Sequence, residues 1–88
     1  MKVILSPRAE KELKKLSKTD QIAVAKKIRS IRDSKQGLNE EKLAGFRSIF
    51  RIRVGNFRIL YRKTAAEIYI ILIAHRRDVY QLLQQLFR

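Results

Sequence analysis

The apolar positions of this chain change period about halfway along it. In the first half they recur every three or four residues: Ala9, Leu13 and Leu16 share one helical face, with Glu10, Lys11, Glu12, Lys14 and Lys15 on the others. Ile22, Ala25, Ile28 and Ile31 form a second such stripe. Ser6-Pro7 reads as a helix N-cap followed by proline at the first helical position, where a missing N–H costs nothing. The Ser17-Lys18-Thr19-Asp20 cluster ends the first helix and caps the second, and Gly37 supplies its expected C-terminal stop. These signals predict a helical hairpin of about 30 residues, preceded by the short β-type run Lys2-Val3-Ile4-Leu5.

From Phe46 to Ala74 the sequence is β-branched and aromatic, with breaks at Gly55-Asn56 and around Lys63-Thr64-Ala65-Ala66. It predicts strands over about 48–54, 57–63 and 67–74, the first two joined by a two-residue hairpin turn. The third, Ile68-Tyr69-Ile70-Ile71-Leu72-Ile73, is nearly all apolar and so reads as an interior strand covered on both faces. Val79, Leu82, Leu83 and Leu86 then mark a short amphipathic helix after Arg76-Arg77-Asp78. The order β-α-α-β-β-β-α predicts an α+β fold: an N-terminal strand, a helical hairpin, an antiparallel sheet of about four strands in all, and a short C-terminal helix. One domain spanning residues 1–88 is expected.

Strand periodicity also places the charges. Phe50, Ile52 and Val54 point to one face, and Arg51 and Arg53 to the other; Phe57, Ile59 and Tyr61 share a face, with Arg58, Leu60 and Arg62 opposite. A two-residue turn pairs Val54 with Phe57 and Ile52 with Ile59, and so sets Arg53 directly across from Arg58 with Arg51 one step away. Like charges directly opposite cost a few tenths to about 1 kcal/mol. One exposed arginine is an ordinary solvated residue. Three together, with no acid on either strand, read as a seat for an anion, and the guanidinium fork matches a phosphodiester. The stretch Ala74-His75-Arg76-Arg77-Asp78-Val79-Tyr80 adds two cations, the only histidine and a tyrosine. By position alone, Tyr80 reads as part of the packing face marked by Val79 and Leu82, and His75 as a hydrogen-bonded scaffold residue at a strand end.

Composition narrows the partners. The 88 residues carry 21 Lys+Arg against 8 Asp+Glu, a net charge of +13, which points to nucleic acid, a ribonucleoprotein or an acidic protein. The length excludes a multidomain enzyme or a fold that must enclose a dinucleotide. A 45% hydrophobic content excludes a disordered basic tail. Zero Cys excludes disulfides, thiol nucleophiles and zinc fingers; one His among scattered carboxylates makes a metal site or cofactor unexpected. No apolar run approaches the roughly 20 residues of a membrane span, and the N-terminus lacks a signal-peptide core, so a cytoplasmic protein with no membrane partner is expected.

The block Phe50-Arg51-Ile52-Arg53-Val54-Gly55-Asn56-Phe57-Arg58-Ile59-Leu60-Tyr61, the Lys42-Leu43-Ala44-Gly45 approach to it and the ending His75-Arg76-Arg77-Asp78-Val79-Tyr80 resemble the RelE branch of the RelE/ParE superfamily of bacterial and archaeal toxins. The likeness covers essentially the whole chain. The strand–hairpin block is shared across the superfamily; the Arg-Arg-Asp-Val-Tyr ending resembles the messenger-RNA-cleaving RelE branch more than ParE-type gyrase poisons. That resemblance implies a type II toxin acting as a ribosome-dependent, metal-independent endoribonuclease, which cuts the A-site codon by attack of the ribose 2′-hydroxyl on the adjacent phosphate. It implies Arg51, Arg53, Arg58, Arg76 and Tyr80 as the catalytic set, with Arg47, Arg62, Lys63 and Arg77 as RNA- or ribosome-binding residues. The implied partners are a cognate acidic, RelB-like antitoxin, the bacterial-type ribosome and its mRNA.

A single His excludes a two-histidine acid–base scheme, and arginine does not give up its proton. Tyr80 is therefore the preferred general base, since neighbouring guanidiniums favour a phenolate, and His75 is the second candidate acid/base. Three other readings share the charge: a ParE-like gyrase inhibitor, a non-catalytic RNA- or ribosome-binding module, and a DNA-binding helical hairpin. The last is disfavoured because the hairpin's lysines are spread as ordinary solvated helix faces.

Overall fold

Helix α1 (Pro7–Lys15) begins where the sequence predicts: the Ser6 side chain accepts the Ala9 N–H at 2.9 Å and Pro7 follows it. Ser17 does the same for α2 (Lys18–Arg32), accepting the Asp20 N–H at 3.2 Å. The stop of α2 differs from expectation. It falls at Ser34 (φ 51°), whose N–H donates to the Ile31 carbonyl while the Lys35 N–H donates to that of Ser30. This is a Schellman closure with serine at the position glycine usually takes, and Gly37 lies beyond it. The computed structural model describes residues 1–86.

The remaining elements are β1 (Lys2–Leu5), β2 (Glu40–Lys42), β3 (Ile49–Val54), β4 (Phe57–Lys63), β5 (Glu67–His75) and α3 (Val79–Leu86). The α+β architecture is as predicted, with two differences in the sheet. It has five strands rather than about four, in the order β1-β5-β4-β3-β2, and β1 pairs with β5 in parallel. The parallel pair follows from connectivity, because the helical hairpin carries the chain across the sheet before the meander begins. The extra strand, Glu40-Glu41-Lys42, has no apolar alternation, so only its backbone ladder with β3 reveals it. The β3–β4 register is the predicted one, Val54 opposite Phe57 and Arg53 opposite Arg58, closed by Gly55 at φ 57°.

Helices α1 and α2 cover one face of the sheet and α3 part of the other. Ala9, Val24, Ile28 and Ile31 pack on Ile52, Ile59, Tyr61, Ile68, Ile70 and Ile73; Val79 and Leu83 pack on Ile49, Leu60, Leu72 and Ala74. The inward stripe of α2 is thus Val24, Ile28 and Ile31, while Ile22, expected in it, is 58% exposed. Strand β5 is interior and covered on both faces, as its composition predicts. It carries a bulge: Leu60 pairs with Leu72 but Tyr61 with Ile70, which leaves Ile71 as an extra residue and turns both Ile71 and Leu72 toward α3. The backbone groups around the bulge find partners in the β1–α1 junction and on α1. Ser6 Oγ donates to the Ile71 carbonyl at 2.7 Å, the Ser6 N–H to that of Ile70 at 2.9 Å, and Glu12 Oε1 accepts the Ile73 N–H at 2.9 Å.

Candidate functional site

Because α3 begins only at Val79, it leaves the hairpin end of its sheet face uncovered. Alternation along β3 and β4 puts Arg51, Arg53 and Arg58 on that bare end, with Arg53 and Arg58 directly paired. The turn after β5 is fastened to the hairpin tip by the Arg76 N–H donating to the Asn56 carbonyl at 2.8 Å. This brings Arg76 to the same place. The result is a cleft of about 230 Å³ lined by Asn39, Glu41, Arg51, Arg53, Arg58, Arg76, Val79 and Tyr80. All five residues predicted as the catalytic set therefore meet at one cleft.

Tyr80 departs from its position-based reading as core. The buried residues of α3 are Val79 and Leu83, one turn apart; Tyr80, one residue on from Val79, is rotated off that face and is 65% exposed. The Arg51 guanidinium carbon lies 5.4 Å from the centroid of the Tyr80 ring, a cation–π arrangement. Its Nη2 donates to Glu41 Oε2 at 2.7 Å. Tyr80 first, then Glu41, hold the Arg51 proton more tightly than in an ordinary guanidinium. Arg58 is shifted the other way, by its burial first and then by Arg53, Arg51 and Arg76, with Glu41 opposing them. The like-charge repulsion expected from the sequence is present. Backbone carbonyls nevertheless hold Arg58 in place: Nη1 donates to Phe57 at 3.0 Å and to Gly55 at 3.4 Å.

The other candidates do not join this cleft. His75 pairs with Phe57 and so points to the helical-hairpin face, where its ring meets the Phe57 ring edge-on at 5.7 Å and its Nδ1 accepts the Arg77 N–H at 3.2 Å. Lys63 also faces that way, with Nζ 2.8 Å from Glu40 Oε1 and 4.9 Å from the Phe50 ring centroid. Arg62 shares the arginine face but stands four residues along β4 from Arg58, roughly 13 Å away. Arg47 is exposed in the β2–β3 connection and Arg77 in the turn before α3.

Sequence reasoning missed Glu41 and Asn39. In β2, pairing sets Glu41 opposite Arg51 and Glu40 opposite Ile52, so adjacent carboxylates serve opposite faces. Glu40 accepts from the Tyr61 hydroxyl and from Lys63, beside a Phe50–Tyr61 stack with ring centroids 5.8 Å apart. The available signal was that two of only 8 acids in so basic a chain stand side by side. Among the described residues, no group of three or more His, Asp or Glu side chains could hold a metal ion. No described helix is long and apolar enough to cross a membrane.

Four guanidiniums around one small cleft, beside an exposed aromatic ring, can seat a phosphodiester and stack a neighbouring base. No curated protein sequence matches the chain. Among solved structures, the chain resembles the toxin of the RelB-RelE antitoxin-toxin complex from Methanococcus jannaschii at 23% identity and a TM-score of 0.76, covering 90% of this chain and 96% of that one. It resembles the isolated E. coli RelE toxin at 22% identity and 0.73, covering 99% and 98%, and YoeB from Staphylococcus aureus at 18% and 0.73, covering 86% and 97%. At these identities the likeness is one of fold. Residues 3–80 match the family model described as ParE toxin of type II toxin-antitoxin system, parDE. With that match over most of its length and the RelE fold, the chain belongs to the RelE/ParE family of type II toxins.

Proposed function

We propose that this toxin is an endoribonuclease that enters the ribosomal A site and cuts the message there. The observation that carries the reading is the convergence of Arg51, Arg53, Arg58 and Arg76 with exposed Tyr80 on one cleft. In the reaction, the ribose 2′-oxygen bonds to the adjacent phosphorus and the bond to the 5′-oxygen breaks, leaving a 2′,3′-cyclic phosphate and a 5′-hydroxyl. The arginines balance the charge that builds on the phosphate oxygens. Tyr80 stacks a base and is placed to take the 2′-hydroxyl proton, while the leaving 5′-oxygen is protonated by water in the open cleft. His75, on the opposite face of the sheet, has no part in proton transfer. Arg47, Arg62 and Arg77 serve as outlying contacts to RNA, whereas Lys63 is engaged by Glu40. With no strong base at hand, positioning of the codon by the ribosome supplies much of the rate. On this reading the protein acts in the cytoplasm, and an acidic antitoxin would lie across the basic surface; the likeness to the toxin of a RelB-RelE antitoxin-toxin complex supports such a partner.

The test is a purified translation system with message 5′-ends mapped by primer extension. Codon-phased cuts that require ribosomes are expected. Tyr80→Phe should lower the cleavage rate by about 100-fold or more, the usual range for a lost proton-transfer group, while His75→Ala cleaves at the wild-type rate. Wild-type cleavage by Tyr80→Phe would remove Tyr80 as the base. The match to the ParE toxin model favours one second reading, a ParE-like toxin, for which the sequence resemblance implies inhibition of DNA gyrase. Intact message together with blocked gyrase supercoiling would establish it in place of the first.

A further inference from the structure

The arginine cleft already holds one anion of its own. Glu41 Oε2 lies 2.7 Å from Arg51 Nη2, and the two ends of this pair are held very differently. The Arg51 side chain is 17% exposed and lies against the Tyr80 ring; the Glu41 side chain is 69% exposed. Glu41 sits on β2, a three-residue strand at the sheet edge, paired among the described residues with β3 alone. The guanidinium is the fixed partner and the carboxylate the movable one. A carboxylate and a phosphodiester each carry one negative charge and accept from the same guanidinium donors, so both cannot have Arg51 at full strength.

We propose that Glu41 is a built-in stand-in for the RNA phosphate: it engages Arg51 in the free toxin, gives way when a phosphodiester enters the cleft, and so sets the cleft's affinity for RNA. This rests on the reading of the cleft as an RNA site. Glu41 also opposes the repulsion of Arg58 by the other guanidiniums, so its charge offsets the cluster as a whole while no ligand is bound. The toxin thereby keeps a folded, partly neutralised cleft in isolation. Affinity is surrendered in exchange, because each RNA that binds must first displace an internal competitor.

The test uses a short single-stranded 2′-O-methyl RNA, which lacks the free 2′-hydroxyl and cannot be cut, titrated by fluorescence anisotropy over a range of KCl concentrations. Glu41→Gln should bind roughly three- to fivefold tighter at low salt, the span of an exposed ion pair. Its affinity should also fall more steeply with salt, by up to about 0.7 in the log–log slope, one added single-strand phosphate contact. Arg51→Ala should weaken binding, and adding Glu41→Gln to it should restore less than the same change gains in the wild-type background. Glu10→Gln, which removes an exposed acid on α1, should leave affinity as it is. Unchanged or weaker binding by Glu41→Gln overturns the stand-in, as does an equal gain in the Arg51→Ala background or from Glu10→Gln, either of which would mark a general charge effect. If wild type and Arg51→Ala bind the RNA equally, the RNA reading of the cleft falls with it.

Discussion

Glu40 shows how much one side chain on an edge strand can carry. Burial alone would raise its pKa, but the hydrogen bonds from Lys63 and Tyr61 outweigh burial and hold the carboxyl below its ordinary value of 4.5. The stability this provides is complete above the ordinary carboxylate range and is lost as pH falls through and below it. Glu40→Gln should therefore cost about 1–2 kcal/mol at neutral pH, and its stability should change less than wild type's between about pH 5 and pH 3, as read by urea unfolding at each pH. Tyr61 has the opposite sign. Burial first, then Glu40, push its phenol well above the usual 10, so its contribution is complete below pH 10 and declines above it. Tyr61→Phe should be less stable at neutral pH but flatter on the alkaline side. A Tyr61→Phe curve parallel to wild type above pH 10 would contradict this account.

At the scale of elements, the α1 N-cap and the β5 bulge are one device. Ser6 accepts the Ala9 N–H and donates to the Ile71 carbonyl, so a single hydroxyl closes both a helix start and a break in the ladder. Losing the cap costs about 1 kcal/mol and leaving the Ile71 carbonyl short of a donor about 1 more. Ser6→Ala should thus lower stability by roughly 2 kcal/mol, or Tm by about 8–15 °C for a domain of this size. A loss of under about 0.5 kcal/mol would mean that the bulge does not depend on Ser6. The bulge has a further consequence for the site. By turning Ile71 and Leu72 to the same face, it gives α3 an apolar seat, which positions Val79 in the core and Tyr80 at the cleft.

For the whole molecule, the net charge of +13 is spread along the chain, and like charges stand face to face at the Arg53–Arg58 pair. Added salt should raise Tm by screening that repulsion. At equal ionic strength sulfate should raise it more than chloride, because a divalent oxyanion fits the guanidinium cluster and binds the native state. Sulfate also stabilises proteins generally through exclusion from their surfaces, so the decisive measurement is the sulfate–chloride difference in Arg58→Ala. It should shrink there, and an unchanged difference would place the sulfate effect outside the cleft.

The sequence by itself determined the β3–β4 register, the arginine face and every element but β2, for a local reason: periodicity, turn residues and caps act over a few neighbouring positions. Val54–Phe57 and Arg53–Arg58 pair as they do because a two-residue turn permits little else. What only the tertiary structure decided depends on partners distant in the chain. The parallel β1–β5 pair, the β2 edge and the bulge are set by backbone groups that pair irrespective of side-chain type, so a charged triplet and an unbroken apolar run conceal them. Tertiary packing also sorted the candidate residues. The alternation of β5 and its pairing with β4 sent His75 to the far face, the rotation of α3 about its Val79–Leu83 anchor exposed Tyr80, and the β2 ladder set Glu41 against Arg51. The chain's charge made an anion the expected ligand; the fold, by bringing one strand edge beside the arginines, showed that the first anion there is the protein's own.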